Sequence, residues 1–242
     1  MDYGLLSSIL HAILVASTPL VFAGLGALIQ ERAGVLNLGI EGLMIVGALA
    51  GFATALLGFP LLISIVSAAL AGALLASIFA VLVLRLYANP VATGLALTLF
   101  GLGLSALAGA QYVGQAAPQV DPWNIPVLSH LPIVGHALFS HDPLVYLSIT
   151  LAVLMWWFIT KSRAGLILRA VGENHSAAHA LGFSVTGIRF LAIITGGALA
   201  GIGPLPLPGT AASRPQSYTP PTREMSAELR DWFVGVCFVA VL

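Results

Sequence analysis

The chain has 242 residues, 59% hydrophobic and only 7% charged, with a mean hydropathy of +1.02. A soluble domain carries roughly 25% charged residues, so this composition cannot build a water-facing surface, which excludes a soluble enzyme, a nucleic-acid binder and a disordered regulator. Nine Lys and Arg balance nine Asp and Glu, so no field draws a polyionic partner, and the single Cys237 excludes a disulfide framework or a Cys-based metal site.

What remains is an all-α, polytopic helical bundle in a membrane. The apolar runs predict about six spans plus an incomplete one at the C-terminus. The first run covers residues 5–28. Asp2 precedes it without a basic n-region, so it reads as a retained helix and not a cleaved signal. Next comes Glu31-Arg-Ala-Gly-Val-Leu-Asn-Leu-Gly-Ile-Glu-Gly42. Its spacing puts Asn37 and Glu41 one helical turn apart at the start of an apolar run, while Gly34, Gly39 and Gly42 loosen the helix there. A carboxylate at the bilayer edge is costly and normally faces protein or a wet cavity. Two readings follow: a broken helix beside a transport path, or an interfacial Glu41 that reaches water or pairs with Arg32.

Runs at 36–57, 61–84 and 91–110 each approach or exceed the ~20 residues that cross a hydrocarbon core. Gly47-Ala-Leu-Ala-Gly51, and later Gly197-Ala-Leu-Ala-Gly201, have the spacing that lets helices approach closely, which a Gly- and Ala-rich chain also produces by chance. Gly101-Leu-Gly103 begins a dinucleotide-like glycine pattern, but no strand precedes it, and it reads as helix packing. The connection 111–143 contains Asp121 and Asp142 but no Lys or Arg, as expected of an external loop. His130, His136 and His141 decorate it.

A fifth run, 144–160, carries Trp156 and Trp157 near one end, where indoles favour the interface. The segment 161–189 follows, with Arg169-Ala-Val-Gly-Glu-Asn-His-Ser-Ala-Ala-His-Ala-Leu-Gly182 inside it. Gly172 can end one helical piece, Asn174 or Ser176 can cap a short second one reaching Leu181, and Gly182 can stop it. A short capped helix with a flat surface of Ala177, Ala178 and Ala180 suits a groove on a partner; the alternative is a solvated loop. His175 and His179 stand four apart without a third ligand nearby, so no metal site is expected. The sixth run, 190–203, is short and reads as a re-entrant or incomplete span.

Orientation follows from the basic residues. Arg32, Arg85, Lys161, Arg163, Arg169 and Arg189 all fall on the cytoplasmic side if the N-terminus is outside, in keeping with the positive-inside rule. No phosphate-binding loop, metalloprotease motif or nucleophile elbow is present, so no catalytic residue and no cofactor of its own is expected.

At the two motif-bearing segments the chain resembles the permease subunits of bacterial ABC importers. The branch includes branched-chain amino acid, ribose-type sugar and nucleoside permeases. The 31–42 segment looks like the signature of its nucleoside and simple-sugar members. Arg169-Ala-Val-Gly-Glu-Asn174 with Ala177-Ala178 and Leu181-Gly182 looks like its cytoplasmic loop, and Thr93-Gly-Leu-Ala-Leu-Thr-Leu-Phe-Gly-Leu-Gly103 is also similar. The resemblance runs in order over about residues 4–203.

The resemblance implies one transmembrane permease domain over 1–242, in a bacterial inner membrane, importing nucleosides or simple sugars. It implies a second permease subunit, separate ATPase subunits that bind ATP, an extracytoplasmic substrate-binding lipoprotein and surrounding membrane lipid as partners. Arg169, Gly172, Glu173, Asn174, Ala177, Ala178 and Gly182 would form the element pressed into the ATPase. Asn37, Gly39, Glu41 and Gly42 would lie near the permeation path. An ion-coupled secondary transporter is the alternative class, and a branched-chain amino acid the alternative cargo. A secondary transporter would require several intramembrane ionisable groups and two inverted repeats, of which only Glu41 is in evidence.

After Gly203 the pattern breaks. Six of the 14 prolines lie in residues 204–221, Arg214, Arg223 and Arg230 fall on the wrong side for the charge rule, and the run from 232 stops after 11 residues. The atypical tail, 204–231, reads as a disrupted frame or an unusual external loop in a truncated, non-functional permease.

Overall fold

A computed structural model describes residues 3–112 and 143–205; most of the expected external loop and nearly all of the Pro-rich tail with its final apolar run lie outside them. The described residues form helices α1 (Tyr3–Arg32), α2 (Ile40–Leu56), α3 (Leu61–Leu84), α4 (Pro90–Gly109, prolonged by a 3-10 turn at Ala110–Tyr112), α5 (Pro143–Lys161), α6 (Arg163–Glu173), α7 (His175–Ala180) and α8 (Val185–Ile202). No strand occurs among them.

The local chemistry explains several boundaries. Asn89 caps α4: its side-chain oxygen accepts the Val91 N–H at 2.9 Å, and Pro90 takes the first position, where a missing N–H costs nothing. α1 runs on beyond the first apolar stretch because polar Gln30 is fully buried against α8, where its amide nitrogen donates to the Ile193 carbonyl at 3.5 Å. It stops at Gly34 in a two-bond glycine cap, with Gly34 N–H donating to Glu31 O and Val35 N–H to Gln30 O.

α8 departs from the expected short span. It begins at Val185, five residues before the apolar run at 190, and its 18 residues are long and apolar enough to cross a membrane. α3, the α4 segment Pro90–Tyr112 and the α5 segment Leu144–Lys161 meet the same standard, while α2 is shorter at 17 residues.

α8 is the hub. It packs on α1, α2 and α3, and α2 in turn packs on α3 and α4. Ile193 and Ala200 join a core with Leu43, Leu75, Phe79 and Leu97. Ala192 joins a second core with Leu25, Ile29, Met155, Ile159 and Leu168. Both cores depend on glycine. Gly196 lies against Gly26 and Gln30, Gly197 against Gly72 and Ala76, and Gly201 against Gly47, Ala68 and Gly72. The small-residue spacing at 47–51 and 197–201 is therefore a real contact between helix backbones.

The outer surface is the reverse of a soluble protein's. Leu62, Leu70 and Leu74 of α3, Leu99 and Leu107 of α4, and Trp156 and Trp157 of α5 all point outward. Exposed hydroxyls turn back on their own helices: Ser77 donates to Leu74 O, Thr160 to Trp156 O and Thr195 to Leu191 O. Polar groups in hydrocarbon must be satisfied internally in this way.

Candidate coupling and path elements

The 31–42 segment is a turn followed by a helix start. Asn37 accepts the Gly39 N–H on its side-chain oxygen at 2.8 Å, and this local bond holds residues 35–39 out of the helix. Asn37 and Glu41 consequently do not share a helical face, contrary to the spacing argument: α2 begins only at Ile40. Asn37 is buried and its amide nitrogen has no partner among the described residues. Glu41 stands half-buried in the first turn of α2, where the helix dipole favours an acid.

Gly39 and Gly42 bring this turn onto α4. A Cβ on Gly39 would lie 3.0 Å from Gly94 O, and one on Gly42 would lie 2.8 Å from Leu97 O. Thr98 of α4 completes the seam by donating its hydroxyl to Leu38 O at 3.3 Å.

The 161–189 segment folds as α6 and α7. Ser162 links α5 to α6, donating its hydroxyl to Phe158 O at 2.6 Å and accepting the Gly165 N–H at 2.9 Å. α6 is amphipathic and buries Gly165, Leu168 and Val171. It continues through Gly172, which does not end it; the break comes at Asn174, whose backbone is extended. There the Asn174 side-chain oxygen accepts the Ala177 N–H at 3.0 Å and the Ser176 hydroxyl at 2.8 Å, capping α7. Gly182, at φ +86°, closes the other end: its N–H donates to His179 O and that of Phe183 to Ala178 O.

α7 is thus fastened at both ends. Ala178 is its buried residue; Glu173, Asn174, Ala177 and Gly182 are exposed, as are His175 and His179. Arg169 is half-buried, and its Nε has no partner among the described residues. No group of three or more potential metal ligands occurs among the described residues. Replacing Asn174 by alanine is expected to cost about 1 kcal/mol of local stability, as cap removal typically does. Hydrogen exchange should then accelerate in α7 alone, while Asn174→Asp should stay close to the original.

The fold brings the two segments together, which no sequence pattern announced. Gly172 of α6 rests on Arg32 and Gly34 at the end of α1, and a Cβ on Gly34 would lie 3.0 Å from Gly172 O. Arg189 of α8 joins them, its Nε donating to Ala33 O at 3.0 Å. From residue spacing alone Arg189 reads only as a topology marker, and Gly34 has no assigned partner. The available signal was an arginine interrupting a helix that is apolar on either side.

A match to the family described as branched-chain amino acid transport system / permease component extends over residues 9–220. The chain belongs to that permease family. It is 40% identical over 205 residues to a putative glucose ABC transporter permease of Haloferax volcanii, covering 81% of this chain and 60% of the relative. It is 36% identical to a nucleoside ABC transporter permease of Lactococcus lactis subsp. cremoris, over 82% of this chain and 66% of the relative. A guanosine ABC transporter permease of Bacillus subtilis is 33% identical over the same shares. The chain therefore spans three fifths to two thirds of the length of these relatives. No solved structure matches it. The family match continues past Gly203 to residue 220, into the Pro-rich segment.

Proposed function

We propose that the chain is a membrane-spanning permease subunit of an ABC importer for nucleosides or simple sugars in a bacterial cytoplasmic membrane. Its N-terminus faces outside, and the end carrying Arg32, Arg85 and Arg189 faces the cytoplasm. Separate ATPase subunits hydrolyse ATP, a second permease subunit completes the path, and a substrate-binding lipoprotein delivers the solute.

The observation that carries this reading is α7, a six-residue helix capped at both ends and exposed on all but Ala178. In a solvated connector water can satisfy the end groups that caps satisfy here. A helix that must keep its shape while pressed by a partner needs both caps. In this reading Arg169, Gly172, Glu173, Asn174, Ala177, Ala178 and Gly182 form or support the surface seated in the ATPase. Asn37, Gly39, Glu41 and Gly42 shape the wall of the path beside α4. The permease supplies a lever and a route, with no covalent step. ATP-driven closure of the ATPase pair moves α7, and the spans alternate between outward- and inward-open arrangements. The names of the relatives, glucose on one side and nucleoside or guanosine on the other, support a sugar-bearing solute.

Uptake of labelled guanosine and of labelled glucose by the assembled transporter tests this. Uptake should collapse when the phosphate-loop lysine of the partner ATPase is replaced and persist in an uncoupler that spares ATP. Persistence without the lysine, with collapse in the uncoupler, would instead establish ion-coupled transport.

A further inference from the structure

We propose that Arg189, together with the Gly34–Gly172 contact, makes the α6–α7 loop and the α1–α2 turn a single moving part, with Arg189 as its positioning residue. Displacement of α7 is thereby delivered to the seam between α2 and α4. The inference rests on α7 being the ATPase-docking element and adds the joint through which its motion enters the bundle.

Three observations make the joint stiff. First, Ala33 O lies just past the end of α1, where carbonyls lack helical partners and carry partial negative charge. A guanidinium donating to it at 3.0 Å makes a charge-assisted bond with favourable dipole alignment. Ala33 itself is fully buried, so water does not compete for that carbonyl. Second, the contact between α1 and α6 is backbone on backbone. A Cβ on Gly172 would lie 3.0 Å from both the Arg32 carbonyl carbon and Gly34 N. Long side chains absorb a displacement by changing rotamer; touching backbones cannot, and close-packed interiors transmit strain. Third, the turn is pinned beyond the joint: Gly34 sits at φ +77°, Asn37 bonds Gly39, and Gly39 lies on Gly94 of α4.

The loop has another anchor, Gly165 against Phe158 and Ile159, but that ties it to α5. Leu168 of α6 also shares a core with Ala33, but the polar and backbone contacts to the segment holding Asn37 and Glu41 are those of the joint, among the described residues.

The test uses the full transporter with Arg189→Met, which keeps length and removes the donor, and Arg189→Lys, which restores a cationic donor. In Arg189→Met, ATPase co-purification and ATP hydrolysis should stay within about twofold, while solute imported per ATP hydrolysed should fall about tenfold, a size typical of residues that alter coupling between sites. Arg189→Lys should recover part of the ratio. An unchanged ratio, or uptake lost only in proportion to ATPase captured, overturns the proposal. Hydrogen exchange on the permease supplies a readout independent of transport: residues 33–39 and 170–174 should speed up together in Arg189→Met. Acceleration of one segment alone overturns the joint. A wild-type transporter without ATP-dependent uptake overturns the importer reading and the coupling role with it, and exchange still decides whether the two segments are one part.

Discussion

Gly201→Val is expected to destabilise the bundle by about 3 kcal/mol, the upper part of the range for overpacking a close-packed interior. The residue lies where α8 crosses α2 and α3 at backbone distance. A Cβ there would stand 3.1 Å from Gly72 Cα and 3.3 Å from Gly72 N, and the Ala68 carbonyl lies closer still. These are main-chain atoms of a helix that is itself buried along this face, so no rotamer change relieves the overlap. In lipid the cost is not offset by a hydrophobic drive to reassemble, because helix association there rests on packing itself. Gly103→Ala is the control, since no atom lies within 4 Å of a Cβ at that site. It should gain about 0.5–1 kcal/mol by removing a flexible residue from a helix interior. Thermal unfolding in one detergent compares the two. Equal midpoints would mean that α8 is not packed glycine-to-glycine at the centre.

Residue patterns announced part of this arrangement for definite physical reasons. An apolar run long enough to cross hydrocarbon has few alternatives to a helix, so α3 is legible at its observed bounds and α4 and α5 nearly so. Asn174 before a short Ala-rich piece and Gly182 after it are local signals, because capping bonds join residues two to five apart. What escaped notice was tertiary. Gln30 continues α1 beyond its apolar run because α8 accepts its amide, and a hydropathy window has no knowledge of α8. Arg189 sits inside α8 and not in the loop before it, because Ala33 O, 156 residues away, receives its donor. Gly172 continues a helix it was expected to end because its missing side chain serves the contact with Arg32. Asn37 and Glu41 would share a face only in a helix already formed, whereas the Asn37 side chain bonds the backbone two residues on and delays its start.

Two of the three left-handed glycines among the described residues separate backbone strain from packing, and the expected results differ sharply. Gly34 and Gly182 close α1 and α7 in the same two-bond cap, at φ +77° and +86°. Alanine at either must adopt the left-handed region, at roughly 1–2 kcal/mol. At Gly182 that is the whole cost, since nothing lies within 4 Å of a Cβ there. At Gly34 the methyl would also meet Gly172 O at 3.0 Å and Arg189 Nη2 at 3.1 Å. Making room means lifting α6 from α1 or displacing the guanidinium from Ala33 O, a further ~1–3 kcal/mol of overpacking. Gly182→Ala should therefore loosen α7 locally with little change in the global midpoint, whereas Gly34→Ala should lower the midpoint and open the joint. Asparagine sharpens the comparison because it tolerates the left-handed region. Gly182→Asn should recover most of what alanine loses, and Gly34→Asn should be worse than alanine, its larger side chain having nowhere to go. If asparagine were tolerated equally at both sites, the turn could not be packed on α6, and the joint between loop and path would have no physical basis.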